Sequence, residues 1–154
     1  MSETTATTLA DDVHWLLARL ARSFGAVEQE AIAELGITLR EYVVMTEVHA
    51  GPGRSQLAVA RAAAVDKSMM VTAVDRLEAR GLLLREPQPT DRRIRALSLT
   101  DEGQRVLAAA AQAVRSAEMQ LLAVLPQSHR TALLESLQAL AAEAVDTGYD
   151  AACI

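Results

Sequence analysis

The 154-residue chain is 51% apolar and 23% charged, a composition typical of a globular protein of about one domain. No apolar run approaches the roughly 18 residues that a membrane span requires, and the polar, acidic N-terminus lacks the pattern of a secretory signal. We therefore expect a cytoplasmic protein with no membrane segment. The single cysteine, Cys153, excludes an intrachain disulfide. Aromatic residues make up only 3% of the chain, which favours packed helices rich in alanine and leucine over a sheet sandwich.

The net charge of −5 is distributed unevenly along the chain. Ten of the fifteen lysine and arginine residues lie between positions 54 and 105, whereas both flanking segments are acidic. This asymmetry is expected of a nucleic-acid-binding unit attached to an acidic frame. A central segment that is simply well solvated would give the same pattern, so charge alone leaves both interpretations open.

Two helices are predicted in the first 50 residues. Thr8 begins a capping-box pattern, and apolar residues then recur at spacings of three and four to about Glu34. Gly36 ends this first helix. Thr38 caps a second helix, which stops before the Gly-Pro-Gly sequence at 51–53.

A short helix, a turn and a longer helix are predicted next. Ser55 caps the short third helix, and Asp66 is a strong N-cap for a fourth helix. The fourth helix extends to about Arg80, and Gly81 stops it. The residues predicted to face the core from this helix follow helical spacing: Met70, Ala73, Val74 and Leu77.

Two strands separated by a loop follow the fourth helix. Residues 82–85 and 94–99 have the apolar patterns of strands, and Leu97 and Leu99 are predicted on the buried face. Residues 87–93 contain two prolines, which predicts a loop without regular structure.

The chain ends in two further predicted helices. Thr100 caps a fifth helix that extends to about Leu125, where Pro126 breaks it. Ser128 opens a last helix that extends to about Val145. A short helix, a turn, a longer helix and a hairpin form a winged helix-turn-helix. The predicted fold class is therefore mainly α, with a small β-hairpin wing and flanking terminal helices.

The terminal helices carry more apolar surface than one winged unit can cover. We therefore expect residues 8–36 and 104–146 to form the dimerisation region of a homodimer. Packing of these helices within one chain is the alternative. The winged helix-turn-helix unit is predicted over 37–103, with a disordered N-terminus at 1–7 and a tail at 147–154.

Residues 59–103 combine the sequences Asp-Arg-Leu-Glu at 75–78 and Asp-Arg-Arg at 91–93 with Gly81, Thr100 and Gly103. This segment resembles the MarR family of transcription regulators. The second-helix segment at 36–48 is also similar to that family. The resemblance covers most of residues 9–145 and implies a homodimer that binds DNA at a pseudo-palindromic inverted repeat. It also implies a small-molecule or redox signal that changes the affinity for DNA. The positions that carry the resemblance are Asp66, Asp75 to Glu78, Gly81, Leu82, Arg85, Asp91 to Arg93, Leu97, Leu99, Thr100 and Gly103.

The third and fourth helices supply the first group of candidate DNA contacts. Helix N-termini favour phosphate, and arginine commonly reads guanine, so we predict that Arg76 reads a base. Met69 and Val71 occupy positions where the family often has threonine and arginine. These two residues can contact a thymine methyl or, alternatively, neighbouring protein. The candidate contacts are Ser55, Gln56, Lys67, Ser68, Met69, Thr72 and Arg76.

The hairpin supplies the second group of candidate DNA contacts. Arg92, Arg93 and Arg95 lie close together in sequence, and a minor groove attracts arginine through its negative potential. The family resemblance implies that Arg93 enters the groove and that Asp91 helps to hold the wing. A solvated, charged loop is the alternative interpretation.

A small-molecule effector site is predicted between the terminal helices and the winged unit. The family often binds small aromatic or phenolic ligands, which aromatic rings and hydrogen-bond donors would suit. Each candidate also has an alternative role, in the core for Tyr42 and Met45 and on the surface for the histidines. The candidates on the first two helices are His14, Trp15, Arg22, Tyr42, Met45 and His49.

Other functional classes have little support in the sequence. The three histidines and Cys153 form no close ligand pair, so we expect no metal site, and no cofactor is predicted. Cys153 has no nearby cation to activate its thiol. No phosphate-binding loop or nucleophile motif indicates an enzyme. The remaining alternative is a winged-helix module that binds protein instead of DNA, for which a cluster of wing arginines would have no use.

Overall fold

The computed structural model describes residues 8–87 and 95–146, with side chains through Glu143. It confirms the predicted mainly helical fold with one antiparallel hairpin. Short 3-10 helices at Leu9–Asp11, Ala33–Leu35 and Leu122–Val124 lie between the longer elements. In chain order those are α1 (Val13–Ala31), α2 (Leu39–Ala50), α3 (Gln56–Ala62), α4 (Lys67–Ala79), β1 (Leu83–Pro87), β2 (Arg95–Leu99), α5 (Asp101–Leu121) and α6 (Gln127–Asp146).

Four helices begin at the capping residues that the sequence indicates. At the start of α2 the Thr38 hydroxyl accepts a hydrogen bond from the Glu41 amide at 3.2 Å. The Glu41 carboxylate in turn accepts one from the Thr38 amide at 2.7 Å, which completes a capping box. The side chains of Ser55, Asp66 and Thr100 accept first-turn amides of α3, α4 and α5 in the same way. The start of the helix-turn-helix is therefore fixed by local hydrogen bonds.

The first helix begins later than the sequence predicts. Asp12 has extended backbone geometry, and its carboxylate accepts a hydrogen bond from the Trp15 amide at 2.8 Å, so α1 starts at Val13. The Thr8 hydroxyl instead donates to the Asp11 carboxylate at 2.8 Å, within the preceding 3-10 turn. A second aspartate therefore takes over the capping role that Thr8 was expected to have.

Two helices also end earlier than predicted. The α-helical part of α1 stops at Ala31, before the predicted Glu34, and a 3-10 turn leads to Gly36 at a φ of +65°. Left-handed backbone of this kind favours glycine, because a Cβ would meet the carbonyl oxygen. α5 likewise changes to a 3-10 turn after Leu121, before Leu125. In both cases the predicted stop signal lies at the end of the 3-10 turn.

The hairpin includes one proline that the sequence analysis assigned to the loop. β1 and β2 pair from Leu83 opposite Leu99 to Pro87 opposite Arg95, so β1 extends beyond the predicted 82–85. β1 has a ladder partner on one side only, and proline is tolerated at such an edge because its missing N–H is not needed there. The wing therefore begins with a longer paired stem than expected.

The core lies where α2, α4, the hairpin and α5 meet. Gly103 of α5 lies so close to Leu82 that a Cβ on the glycine would overlap the Leu82 carbonyl oxygen. The Thr100 hydroxyl donates to the Gly81 carbonyl at 2.7 Å and fixes the same junction. The largest fully buried side chains are Ile32, Glu41, Val44, Met45, Val48, Val59, Met70, Val74, Leu77, Leu83 and Leu97.

The first and last helices, α1 and α6, have no buried residues among those whose side chains are described. α1 packs along α5, whereas α6 makes no extensive contact with any other element of the described chain. Apolar side chains on both helices are exposed. They are Val13, Leu16, Leu17 and Leu20 on α1 and Leu134, Leu137 and Leu140 on α6, which we call the terminal apolar surface.

Several predictions concern residues outside the described ranges. The N-terminus at 1–7, the tail at 147–154 with Cys153, and the wing residues Asp91, Arg92 and Arg93 all lie there. Among the described residues, no helix is long and apolar enough to cross a membrane. The same residues contain no group of three or more potential metal ligands.

Candidate nucleic-acid interface

α4 has one buried and one exposed face, as the sequence predicts. The buried face carries Met70, Ala73, Val74 and Leu77 into the core. The opposite face is exposed along the whole helix, which is the requirement for an element that enters a DNA groove. Its residues are Lys67, Ser68, Met69, Val71, Thr72, Asp75 and Arg76.

The N-terminus of α4 is held by Asp66. Its carboxylate accepts hydrogen bonds from the Ser68 hydroxyl at 2.6 Å and from the Ser68 and Met69 amides at 2.9 Å each. These bonds, the Ser68 hydroxyl first, hold the pKa of Asp66 below its usual value. The carboxylate therefore stays ionised and occupies the Ser68 and Met69 amides, so the phosphate contact predicted there is left to the Lys67 side chain.

The two hydroxyls on the exposed face of α4 donate within the helix. Ser68 donates to Asp66, and Thr72 donates to the Ser68 carbonyl at 3.2 Å. Each hydroxyl hydrogen is therefore already used. What Ser68 and Thr72 present outward is an acceptor oxygen and, for Thr72, a methyl group.

Arg76 pairs with the side chain of Glu41. Its Nε lies 3.1 Å from Glu41 Oε1, and Glu41 is 2% exposed whereas the Arg76 side chain is 58% exposed. Glu41 is the buried charged residue of the described part of the chain, and its other oxygen completes the Thr38 capping box. The base-reading role of Arg76 stays a prediction, but the structure gives this guanidinium an ion-pair partner within the protein. Sequence analysis gave Glu41 no role; the Thr-x-x-Glu spacing from Thr38 to Glu41, which is typical of a capping box, is the signal that could have indicated it.

Arg85 joins the hairpin to α4. Its guanidinium lies 2.5 Å from Asp75 and 2.7 Å from Glu78, while its Nε is buried with no protein acceptor. Sequence analysis placed Arg85 in the family motif but assigned it no role. The bridge neutralises two carboxylates beside the exposed face of α4, which would otherwise repel phosphate.

The end of α4 is fixed by Arg80, to which the sequence analysis gave no role in the site. Arg80 donates from Nη1 to the Gly36 carbonyl at 2.5 Å and from Nη2 to the Leu35 carbonyl at 3.0 Å. These carbonyls belong to the turn between α1 and α2. Because three arginines connect α4 to its neighbours, the helix is held at both its middle and its end.

The remaining candidate DNA contacts lie around α4. The Ser55 hydroxyl accepts the Ala58 amide at 3.2 Å as the cap of α3, and Ser55 also forms an isolated bridge with Ala96 of β2. Gln56 is half-buried at the start of α3, and Arg95 is exposed at the start of β2. The winged unit thus connects the α3 cap directly to the hairpin.

The candidate effector residues lie in different environments. Met45 is 0% exposed and belongs to the core, with Tyr42 packed against it. The guanidinium of Arg19 lies over the Trp15 ring, 5.2 Å from its centre. The exposed candidates are His14, Arg22 and His49.

A cleft of about 340 Å³ lies elsewhere, between α1 and α5. None of the candidate effector residues lines it. The residues that do are Val27, Glu30, Ala31, Ala117, Gln120 and Leu121. On the same pair of helices, burial and the neighbouring Glu118 raise the pKa of the Glu28 carboxyl. This acidic region does not favour an anionic ligand in the cleft.

The chain is similar to known transcription regulators in sequence and in fold. A regulatory protein for the hcr operon of Thauera aromatica is 37% identical over 105 residues, which are 68% of this chain and 63% of that relative. The match therefore spans less than two thirds of the relative's length. Residues 35–94 match the model of the MarR family.

Three solved structures share the fold over most of their length. The repressor CouR bound to a 23-mer DNA duplex is 31% identical, with a TM-score of 0.81 and coverage of 91% of this chain and 99% of the other. CouR from Rhodococcus jostii bound to p-coumaroyl-CoA is 30% identical, with a TM-score of 0.76 and coverage of 88% and 96%. PcaV from Streptomyces coelicolor with its natural ligand is 28% identical, with a TM-score of 0.76 and coverage of 94% and 99%.

These similarities define the chain as a winged helix-turn-helix protein of the transcription-regulator class. The chain belongs to the MarR family. The family and the similar proteins are regulators of transcription, in agreement with the expectation that this chain is not an enzyme.

Proposed function

We propose that the chain is a homodimeric, sequence-specific DNA-binding repressor that a small aromatic or phenolic ligand releases from a pseudo-palindromic operator. The observation that carries the proposal is the exposed face of α4, which Arg76 connects to α2, Arg80 connects to the turn before α2 and Arg85 connects to the hairpin. The similar repressor CouR binds a DNA duplex. The proposed action on DNA is cytoplasmic.

The charges around α4 support a nucleic-acid partner. Lys67 at the start of the helix and Arg95 at the start of β2 are exposed. The negative charges of Asp75 and Glu78 are compensated by Arg85. The proposed interface therefore offers cations to the phosphates without unpaired carboxylates in the middle of the helix.

The terminal apolar surface supports the homodimer. Exposed leucines at helical spacing on α1 and α6 form a face that no other part of the described chain covers. A second copy would bury this face and hold two α4 helices at a fixed separation. A two-fold dimer should read half-sites about one helical turn apart, or about 10 bp.

Ligand release is supported by the similar proteins and by linkage. CouR binds p-coumaroyl-CoA, and PcaV binds a natural ligand. A ligand that binds better when the two α4 helices are at a different separation must lower the affinity for DNA. By linkage, DNA lowers the affinity for the ligand by the same factor. The proposed walls remain His14, Trp15, Arg22, Tyr42, Met45 and His49. Calorimetry with aromatic acids, with and without operator, tests this coupling.

The DNA-binding proposal is tested by selecting duplexes from a randomised pool with the full chain. We expect an inverted repeat, and a binding constant that falls steeply as salt increases. Arg95→Ala should reduce the slope of log binding constant against log salt concentration by about one. Arg115→Ala, at an exposed position of α5, should leave this slope unchanged. If no duplex is enriched, the protein-binding winged-helix module becomes the supported function.

A further inference from the structure

The exposed face of α4 is poor in available hydrogen-bond donors. We propose that it reads thymine methyl groups in the major groove by apolar contact through Met69, Val71 and Thr72. This inference rests on the DNA-binding function proposed above and names the feature of the operator that α4 recognises.

The first step of the argument is that the polar side chains in the middle of the face are already engaged. The Ser68 hydroxyl donates to Asp66, and the Thr72 hydroxyl donates to a backbone carbonyl. Arg76 is paired with the buried Glu41, and breaking that pair would leave a carboxylate without compensation in the core. Donation to a base by Ser68 or Thr72 would have to break existing contacts, and Arg76 could reach a base only with its Nη atoms while its Nε stays on Glu41.

The second step is that the apolar side chains on the same face are available. Met69 is 41% exposed and Val71 is 40% exposed, although Met70, Ala73, Val74 and Leu77 of the same helix are buried. Met69 and Thr72 are three positions apart and are therefore neighbours on the helix surface, and the Thr72 methyl group has no hydrogen-bonding role. These two residues form a small apolar strip on the exposed part of α4, and Val71 lies on the other flank of that face.

The third step identifies the occupant of this strip. Among the four bases, thymine presents a methyl group in the major groove, where it is the apolar feature that a helix can contact. Lys67, at the start of the same helix, and Arg95, at the start of β2 in the same winged unit, are both exposed cations, which favours a polyanion over an apolar protein surface. The terminal apolar surface lies on other helices and is the face proposed for the second copy.

The experiment removes the methyl group without changing base pairing. Each thymine of a duplex selected by the full chain is replaced singly by deoxyuridine, and affinity is measured by fluorescence anisotropy at fixed salt. We expect one or more positions in each half-site to weaken binding about fourfold, the effect of uncovering one buried methyl group. The salt dependence should stay unchanged, because no phosphate contact is lost.

Matched variants of Thr72 separate the methyl group from the hydroxyl. Thr72→Val keeps an apolar branch and removes the hydroxyl, so it should keep the preference for thymine over deoxyuridine. Thr72→Ser keeps the hydroxyl and removes the methyl, so it should lose that preference at one position. Met69→Ala should lose it at another position. Leu84→Ala, at a similarly exposed apolar residue of β1, should leave the preference unchanged at every position.

The outcomes separate this inference from the proposed function. Sensitivity to deoxyuridine that disappears in Met69→Ala or Thr72→Ser supports the inference. A selected duplex that binds equally well with every thymine replaced overturns the inference and leaves DNA binding intact. A selection that enriches no duplex overturns both.

Discussion

The winged unit and the terminal helices are stabilised in different ways. The winged unit buries its apolar side chains within one chain, and arginines at 76, 80 and 85 connect its elements through ion pairs and carbonyl contacts. α1 and α6 bury no residue whose side chain is described, and they expose leucines at helical spacing. One region is therefore complete within a single chain, whereas the other has an apolar surface that remains uncovered.

This difference separates two kinds of mutational effect. Changes in the winged unit should alter the free energy of unfolding of each chain, because its contacts are internal. Changes on the terminal apolar surface should alter the association of two chains, and through it DNA affinity. The following predictions test this division, from the largest expected effect to the smallest.

Leu137→Glu on α6 should disrupt the proposed dimer. Burial of an unpaired carboxylate in an interface costs about 2–5 kcal/mol, so a protein that is dimeric at micromolar concentration should become largely monomeric. Light scattering checks the mass, and DNA affinity should fall with it. Gln138→Glu places the same charge on the neighbouring exposed position and should stay dimeric. An unchanged mass for Leu137→Glu would place the interface elsewhere.

Gly103→Ala should destabilise the winged unit without changing its association. The added Cβ would overlap the backbone carbonyl of Leu82, and overpacking of this kind costs about 3 kcal/mol. Gly25→Ala on α1 is the matched control, because its Cβ would meet only Leu39 at 3.8 Å. Alanine is the better helix former, so the control should gain about 0.5–1 kcal/mol. Denaturant unfolding measures both, and equal effects would contradict the close approach of α5 and Leu82.

Arg76→Ala and Glu41→Gln should be coupled in a double-mutant cycle. Arg76 forms an ion pair with the buried Glu41 carboxylate, which Thr38 also contacts, but Arg76 is largely exposed, so we expect a coupling of about 1–2 kcal/mol in unfolding free energy. When Glu41→Gln is already present, adding Arg76→Ala should lower the free energy of unfolding only slightly. A panel of single-base operator variants tests the earlier base-reading prediction. A uniform loss of affinity for Arg76→Ala would favour the structural pair, and loss of discrimination at one base pair would favour base reading.

The carboxyl of Glu28 should make stability fall as pH rises. Burial first, and then repulsion by Glu118, raise its pKa in the folded chain above the usual 4.5. Between these two pKa values the folded state retains a proton that the unfolded state has lost, so stability decreases across that window. Glu28→Gln should remove this pH dependence and raise Tm at pH 7. The gain in the free energy of unfolding should be less than about 1 kcal/mol, because solvent screens the site. Glu30→Gln, at an exposed position, should leave the pH dependence and Tm unchanged. An increase in Tm in both variants would indicate general charge repulsion.

Sequence patterns predicted the elements of both regions but not the contacts between them. The caps at Thr38, Ser55, Asp66 and Thr100 were correct because each depends on residues within one turn. Thr8 was wrong as the start of α1 because Asp12 offers a competing cap. Both signals are local, and the sequence does not rank them.

The candidate site was predictable only where it depends on one helix. Periodicity separated the buried and exposed faces of α4, since both follow from spacing along the helix. The partners of Arg76 and Arg85 were not predictable in this way, because Glu41 is 35 positions away in sequence and Arg85 lies on the hairpin. The long-range contacts that hold α4 in place depend on the packing of the whole winged unit.

Sedimentation of the full chain, alone and with an inverted-repeat duplex, tests the central claim most directly. The account predicts a particle of twice the 16.5 kDa chain mass without DNA, and two chains on each duplex. A chain that stays monomeric at micromolar concentration, or one that binds the duplex as a single copy, would contradict it.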